Sequence, residues 1–220
     1  KSVGIVVAGS YVGVGTLVMG GDIMVTSAHV IYNEVGLLRS RQVVFFPDGN
    51  RKKRVAVDLS QSRAGNVFVK PGQLDNDWVI LRLERDILAD NTNQGFDAVG
   101  VLPVTSFNFD QVKDNIIHVS FDFRRRPFRK VVNRDCQLYQ KNRGDMFWGI
   151  SSILLHDCDL ERHDNSGSPL LLLEDGNCYL LGLHQGGHKD FYGAAFNPRV
   201  NPNFAFGVNH RFQRAIRKFI

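Results

Sequence analysis

The sequence predicts a nearly all-β chain organised as a barrel or a sandwich. Short apolar runs, bounded by Gly, Asn, Asp and Pro, recur along most of its 220 residues. Hydrophobic residues make up 43% and charged residues 22%, which is ordinary globular usage and argues against a disordered, collagen-like or coiled-coil chain. The predicted strands are 4–8, 15–19, 23–26, 42–46, 54–58, 77–83, 116–121, 131–138, 151–156, 168–173 and 179–184.

The end of the chain departs from this strand pattern. Beyond Asn209, apolar residues follow helical spacing and basic residues fill the other positions. The apolar positions are Phe212, Ile216, Phe219 and Ile220, and the basic ones are Arg211, Arg214, Arg217 and Lys218. The pattern predicts a closing helix over residues 209–220, and contact with a membrane surface is an alternative role for such a basic amphipathic helix.

Positive charge is concentrated in two runs. The net charge is +5, and part of the excess lies in residues 51–54 (RKKR) and 124–130 (RRRPFRK). Such runs can bind nucleic acid, heparin-like polymers or acidic lipid heads, but neither lies in a recognisable nucleic-acid motif. Solvated hairpin tips are the preferred interpretation, and contact with polyanions is a secondary hypothesis.

The sequence contains no candidate membrane span. No apolar stretch approaches the roughly 18 to 20 residues that a helix needs to cross a bilayer. The chain begins at Lys1, without Met and close to the first predicted strand. We therefore expect that a signal sequence or leader has been removed or lies outside this sequence.

Three short phrases carry side chains suited to nucleophilic catalysis. His29 follows an apolar run in VTSAHV, Asp77 precedes one in NDWVILRL, and Ser166 lies in the Gly-containing turn of NSGSPL. Each alone has an ordinary structural explanation, as a packed histidine, a strand start or a turn. Their joint order, with His29 and Asp77 in the first half and Ser166 in the second, points to a catalytic triad.

Together these phrases resemble the chymotrypsin-like serine peptidases, specifically a bacterial branch similar to glutamyl endopeptidases. The resemblance implies two six-stranded antiparallel β-barrels with a C-terminal α-helix, and an active site in the cleft between the barrels. The expected units are residues 1–90 for the first barrel with His29 and Asp77, 91–100 for a linker, 101–208 for the second barrel with Ser166, and 209–220 for the helix.

The resemblance implies a serine endopeptidase that needs neither cofactor nor metal. Ser166 would attack the peptide carbonyl, His29 would take its proton, and Asp77 would orient His29. Backbone N–H groups of Ser166 and Asp164 would form the oxyanion hole, although the family usually has Gly at the second position. Since a carboxylate there opposes a developing oxyanion, the alternative is an impaired pseudopeptidase that binds proteins or polyanions.

Substrate preference is open at the floor of the expected pocket. Counting back from Ser166 places Leu160 where trypsin-like enzymes keep an Asp, so a trypsin preference is poorly supported. Glu161 lies next to it and accepts a basic side chain if it turns inward. His163, in the nucleophile loop, is a further candidate substrate contact.

A second phrase, GLHQGG, resembles the pocket wall of glutamyl endopeptidases and viral 3C-type peptidases. The resemblance implies that His184 contacts an acidic or amide P1 side chain, which favours Glu or Gln. A neutral histidine packed under the barrel is the alternative. Gln185, Gly186 and Gly187 are expected to pair with the substrate backbone by strand addition. The other histidines, including His118 and His156, are expected to be structural or exposed.

The three cysteines are Cys136, Cys158 and Cys178. In the peptidases that the chain resembles, a Cys in a phrase such as HDCD pairs with one upstream, which implies a Cys136–Cys158 disulfide and an unpaired Cys178. The alternative is three reduced thiols in a cytosolic protein. The disulfide interpretation predicts a secreted or periplasmic location, and no Cys pair has zinc-ligand spacing.

Overall fold

In the computed structural model, the first half of the chain forms a closed antiparallel barrel. The structure describes residues 2–67, 76–87, 99–101, 104–125, 127–145, 147–158, 165–187 and 196–220. The barrel strands are β1 (Val3–Ala8), β2 (Tyr11–Leu17), β3 (Ile23–Thr26), β4 (Val43–Pro47), β5 (Val55–Ala64) and β6 (Val79–Leu83). They pair in the order β1-β2-β3-β6-β5-β4, and β1 also pairs with β4, so the barrel has no free edge.

Two short helical segments interrupt the strands of this barrel. Helix α1 (Ala28–Ile31) follows β3, and a 3-10 turn (Arg51–Lys53) connects β4 to β5. Alternate strand residues point inward, and Val6, Phe45 and Leu81 are fully buried in a shared core. β-branched residues such as those of β1 (VGIVVA) suit this pleated, half-buried setting.

The second half of the described chain forms an eight-stranded sheet that curves into a half-barrel. Its strands are β7 (Gly100–Val101), β8 (Ile116–Asp122), β9 (Arg129–Asn133), β10 (Leu138–Tyr139), β11 (Ile153–His156), β12 (Pro169–Glu174), β13 (Asn177–Gly187) and β14 (Asn203–Gly207). The order is β10-β11-β14-β13-β12-β8-β9, and β7 pairs in parallel with β13. A 3-10 turn (Val104–Ser106) and helix α2 (Phe109–Val112) precede β8.

A third helix, α3 (His210–Arg217), closes the chain as predicted. The side chain of Asn209 accepts a hydrogen bond from the backbone N–H of Phe212 at 2.9 Å, which caps the helix. Phe212 packs edge-on against Trp78, with ring centroids 5.0 Å apart. Trp78 also packs against Phe206, with ring centroids 6.4 Å apart. Because Trp78 belongs to the first half and Phe206 to the second, one apolar core joins both halves.

The predicted all-β class with a C-terminal helix is confirmed. Strand β14 was not predicted, and the single strand expected at 131–138 is divided into β9 and β10. The basic run 51–54 lies between β4 and β5, and the run 124–130 begins between β8 and β9 and ends in the first two residues of β9. The boundaries of the predicted units stay predictions, because most of the linker at 91–100 lies outside the described residues.

The expected cysteine pairing is also confirmed. Cys136 and Cys158 form a disulfide with a Cα–Cα distance of 4.6 Å, and Cys178 is a free, partly buried thiol. The bridge links the segment before β10 to the segment after β11. In the described part of the chain, no helix is long and apolar enough to cross a membrane.

Candidate active site

His29 and Asp77 meet because β3 and β6 are neighbours in the first barrel. His29 lies in α1, immediately after β3, and Asp77 immediately precedes β6. The pairing of Thr26 with Val79 brings these two strand ends together. His29 Nδ1 lies 2.6 Å from Asp77 Oδ2, and the His29 backbone N–H donates to Asp77 Oδ1 at 3.0 Å. Both carboxylate oxygens therefore fix the position of the histidine.

The two partners differ in their contact with solvent. The side chain of Asp77 is fully buried, whereas 24% of the His29 side chain is exposed. A buried carboxylate needs a charged or hydrogen-bonded partner, and the imidazole with its backbone N–H provides one. The exposed part of His29 leaves the ring accessible to a reactant.

The residues beside Asp77 hold its backbone in place. Asn76 has a φ of +64°, in the left-handed region that Asn tolerates better than most residues. Its carbonyl accepts the N–H of Trp78 at 2.9 Å, and Trp78 is anchored against Phe212 of α3. The C-terminal helix thus helps to position the carboxylate through its next neighbour in the sequence.

Arg39 is a supporting residue that the sequence analysis missed. Its Nε donates to the backbone carbonyl of His29 at 2.9 Å, and its guanidinium lies 3.5 Å from the centroid of the Tyr11 ring. The sequence offered no signal for this role, because Arg39 lies in a polar stretch between α1 and β4. The contact ties the His29 backbone to the hairpin between β1 and β2.

Ser166 lies in a tight turn before β12. The N–H of Ser168 donates to the carbonyl of Asn165 at 3.0 Å, and Gly167 has a φ of +85° that a residue with a side chain adopts only with strain. The Asn165 side chain is buried and accepts the backbone N–H of Phe121 at 3.0 Å. This amide anchors the turn to β8, which gives Asn165 a role that the sequence analysis did not identify.

Hydrogen bonds between the two halves bring this turn to the segment that carries His29. The backbone N–H of Val14 donates to the carbonyl of Ser166 at 2.9 Å, and the hydroxyl of Ser27 donates to the carbonyl of His184 at 3.1 Å. The same His184 carbonyl accepts the N–H of Gly167 at 2.7 Å. Ser27, two residues before His29, and Gly167, one after Ser166, therefore share one acceptor.

The close approach at Gly167 shows how tightly the halves fit. A Cβ at this position would overlap the hydroxyl of Thr26 and the carbonyl of Val14. Thr26 itself donates to that carbonyl at 2.7 Å, in a buried contact. Only glycine fits here, for both its φ and the lack of space.

Four of the predicted site residues lie outside the described residues. They are Leu160 and Glu161 at the expected pocket floor, His163 in the nucleophile loop, and Asp164 with the second oxyanion donor. Within the described ranges, no group of three or more His, Cys, Asp and Glu side chains is arranged to hold a metal ion.

His184 belongs to a buried cluster of three histidines. His156 Nε2 lies 3.1 Å from His184 Nδ1, and the ring of His118 lies 5.9 Å from that of His156 and 6.0 Å from that of His184. The sequence analysis had treated His118 and His156 only as structural or exposed. A histidine within the apolar run of β8 was the signal that could have marked the cluster.

Burial keeps these three imidazoles neutral. It lowers the pKa of His118 to about 3, since no described group compensates a charge there. Burial also lowers the pKa of His156 well below 6.5, with repulsion from His118 as the second cause. The pKa of His184 falls well below 6.5 through burial and then through repulsion by His156, His118 and His29. Near neutral pH, His184 is therefore a neutral hydrogen-bonding group.

The segment predicted to pair with a substrate backbone, residues 185–187, lies at the end of β13. The pairing of β12 with β13 ends at Pro169 and Leu183, whereas β14 continues to pair with Gly186 and Gly187. A bulge at Gln185 separates the two registers. β13 therefore extends beyond its pairing with β12 while β14 still supports it, an arrangement that suits strand addition.

Comparisons with known proteins bear on this architecture. No family model and no curated protein matches the sequence. The structure is similar to that of a Glu endopeptidase in complex with MPD, with a TM-score of 0.66 and 13% identity, over 99% of this chain and 89% of the other. The fold is that of the chymotrypsin-like serine proteases.

Two further structures with this chymotrypsin-like fold are similar to the chain. The thermostable serine protease AL20 from an extremophilic microorganism has a TM-score of 0.64 and 15% identity, over 97% of this chain and 94% of that one. The protease Anisep from Arthrobacter nicotinovorans has a TM-score of 0.65 and 13% identity, over 100% and 95%. Identities this low establish the fold, and the function is argued from the site.

Proposed function

We propose that the protein is a serine endopeptidase. The observation that carries the proposal is the 2.6 Å contact between His29 Nδ1 and the buried Asp77 carboxylate, together with the His184 carbonyl that Ser27 and Gly167 share as an acceptor. Acyl transfer needs a base, an orienting acid and a nucleophile, and we assign these roles to His29, Asp77 and Ser166. The three similar structures are all named as proteases or peptidases, which supports the same class of reaction.

The proposed reaction uses these three side chains in sequence. Ser166 Oγ attacks the carbonyl carbon of the scissile bond, and its proton passes to His29 Nε2. Asp77 accepts the Nδ1–H of His29 and stabilises the imidazolium that forms. His29 then gives the proton to the leaving amine as the C–N bond breaks, and water releases the acyl group by the reverse route.

The developing oxyanion needs donors that are already in position. We assign this role to the backbone N–H groups of Ser166 and Asp164, of which only the first lies in a described residue. The turn anchored by Asn165 orients the Ser166 N–H.

Asn165 cannot supply the carboxylate with which a freshly cut N-terminus pairs in trypsin-like zymogens, so we infer that maturation does not use that ion pair.

We propose Glu or Gln as the preferred P1 residue. When His156 Nε2 donates to His184 Nδ1, a neutral His184 carries its own proton on Nε2 and offers a donor to the substrate. A P1 carboxylate or amide oxygen is the matching acceptor. The Glu endopeptidase among the similar structures agrees with this preference.

Substrate backbone would bind as an added strand along Gln185, Gly186 and Gly187. We further infer a secreted or periplasmic site of action, because the Cys136–Cys158 disulfide persists in oxidising compartments. The substrates are then proteins or peptides that the chain meets outside the cytosol.

A fluorophosphonate probe tests the proposal directly. Such probes phosphonylate an activated serine, so the wild-type protein should be labelled on Ser166, and Ser166→Ala or His29→Ala should abolish labelling. Ser10→Ala is the matched control, because Ser10 is exposed at the hairpin between β1 and β2. Absence of labelling in a folded wild-type protein would overturn the proposal and favour the pseudopeptidase alternative, in which Asp164 disables the oxyanion hole.

A further inference from the structure

The two basic runs, distant in the sequence, meet at one place on the surface. The Arg51 guanidinium, from the connection between β4 and β5, lies 4.8 Å from the centroid of the Phe128 ring. Phe128 lies in the connection between β8 and β9. Lys130 and Asp48 form an ion pair across the same boundary. The second half of the molecule therefore extends its hairpin over the outer face of the first barrel.

A groove of about 390 Å³ lies where the two runs meet. Its walls include outward-facing residues of β1 and β4 together with the Phe128 ring. The residues that give it its character are Ile5, Val7, Val44, Phe46, Arg51 and Phe128. Among the described residues that line it there is one cation, Arg51, and no carboxylate. We call this feature the basic groove.

Further cations surround the basic groove. A neighbouring depression shares Gln42 and Val44 with it and is lined by Arg41 and Arg54, with Glu84 as its acidic residue. In the described part of the chain, Arg41, Arg51 and Arg54 form no ion pair, and all three are exposed. The apolar floor is therefore bordered by three guanidinium groups that form no ion pair with a described residue.

The other basic run contributes less net charge. Arg124 and Arg125 both pair with the buried carboxylate of Asp122, and Lys130 pairs with Asp48. Arg124 and Arg125 thus share one carboxylate, and Arg129, which is exposed, forms no ion pair in the described part of the chain. The guanidinium groups that line the groove and its neighbouring depression are those of Arg41, Arg51 and Arg54.

We propose that the basic groove binds an acidic peptide segment with apolar side chains, contributed by another protein. The apolar floor accepts Ile, Leu or Phe side chains, and the bordering guanidinium groups pair with Asp or Glu between them. The groove is linked to the proposed active site through two adjacent residues. Ser40 lines the groove, and its neighbour Arg39 donates a hydrogen bond to the His29 carbonyl.

The chemistry of the groove favours a peptide over other polyanions. Single-stranded nucleic acids bind proteins through open aromatic faces on which bases stack. The aromatic wall at Phe128 is covered by the Arg51 guanidinium on one face. Sulfated polysaccharides supply charge but no apolar groups to fill the floor.

Direct binding measurements with the full chain test this proposal. Ser166→Ala is introduced throughout, so that binding is separated from cleavage and the result does not depend on the proposed peptidase activity. The probe is a short fluorescein-labelled peptide that alternates Asp with Ile and Phe. A second peptide has Ser in place of each Ile and Phe. We expect saturable binding of the first, read by fluorescence anisotropy, and about tenfold weaker binding of the second.

Substitutions locate the binding site. Arg51→Glu and Phe128→Ala should each weaken binding about tenfold, whereas Arg211→Glu, an equal charge reversal on the exposed side of α3, should leave it unchanged. Val44→Thr makes the floor more polar at nearly constant shape. It therefore tests the apolar contact in place of Phe128→Ala if that variant unfolds. Near-ultraviolet circular dichroism checks the fold of each variant.

Three outcomes would overturn the proposal. The first is no saturable binding of the apolar, acidic peptide. The second is equal binding of the two peptides, with heparin or an oligonucleotide competing for the same Arg51-dependent site, which would mark a general polyanion surface. The third is equal loss of binding in Arg51→Glu and Arg211→Glu, which would show that net charge alone is measured.

Discussion

The two halves of the molecule contribute to the site in different ways. The first barrel is closed, and it holds the His29–Asp77 pair with hydrogen bonds made entirely within itself. The second half is an open sheet in the described residues, and its Ser166 turn is anchored partly by a bond to Val14 of the first barrel. The proposed acid–base pair is thus held by hydrogen bonds within the first barrel, whereas the turn of the proposed nucleophile is anchored partly by the contact between the halves.

The halves also differ in how they treat buried polar groups. The first barrel buries a carboxylate beside an imidazole that becomes charged during the proposed reaction. The second buries three neutral imidazoles that lie too deep to ionise near neutral pH. The histidine cluster therefore offers hydrogen bonding without charge, in contrast to the proposed catalytic pair of His29 and Asp77.

The largest expected effect comes from removing the charge in the first barrel. Asp77→Asn keeps the size of the side chain but leaves His29 without its anionic partner and favours the wrong tautomer. We expect kcat to fall about 10⁴-fold with little change in KM. Steady-state kinetics on a peptide substrate measures this, and Asp86→Asn, outside the site, is the control. A fall of less than about tenfold would contradict the assigned role of Asp77.

The second prediction concerns the disulfide in the open half. Removing the Cys136–Cys158 bridge by the double substitution Cys136→Ala and Cys158→Ala should lower the free energy of unfolding by about 3 kcal/mol. The bridge closes a loop with a sequence separation of 22. Urea unfolding measures the loss, and Cys178→Ala controls for removing a thiol. Equal stability of the bridged and unbridged proteins would show that the open half needs no covalent support.

How far the sequence alone predicts this structure differs between the halves. The strand at 23–26 and the terminal helix follow from the apolar periodicity of the sequence, and Asn209, a typical N-cap residue, marks the start of the helix. The three phrases place His29, Asp77 and Ser166 beside strands or a turn that can be recognised locally, and the structure has these elements. The catalytic roles of the three residues stay predictions.

What the sequence could not show is the contact between distant segments. Nothing local indicates that Arg39 supports His29. His118 in an apolar run marks a buried histidine, but only the folding of the sheet brings it and His156 beside His184. The convergence of the two basic runs is of the same kind. Charge runs predict exposure, but only tertiary packing decides which runs become neighbours.

The third prediction tests the neutral histidines through acid stability. Burial depresses the pKa of His118 in the folded state to about 3. The contribution of the neutral imidazole to stability is therefore complete at pH values above about 6.5, the pKa of histidine in the unfolded chain. As the pH falls below that value, the unfolded chain takes up the proton first, and stability declines by at most about 1.4 kcal/mol per pH unit for this residue.

Replacing the histidine should remove this dependence. His118→Phe should therefore lose less stability than the wild type between about pH 6.5 and pH 5, measured by urea unfolding at each pH. His210→Phe is the matched control, because His210 is exposed on α3. Parallel pH curves for the wild type and His118→Phe would show that the cluster is already solvated.

The smallest expected effect concerns P1 preference, and it separates the neutral pocket from the charged catalytic pair. A P1 carboxylate near His184 favours the imidazolium and so raises the depressed pKa of His184 in the complex, whereas a P1 amide does not. The ratio of kcat/KM for Glu over Gln substrates should therefore rise severalfold as the pH falls from about 8 to 6. Any effect of pH that is the same for both substrates cancels in this ratio. His156→Phe removes the partner of His184 Nδ1 and should alter this pH dependence. A ratio that does not change with pH would show that His184 does not contact the P1 side chain.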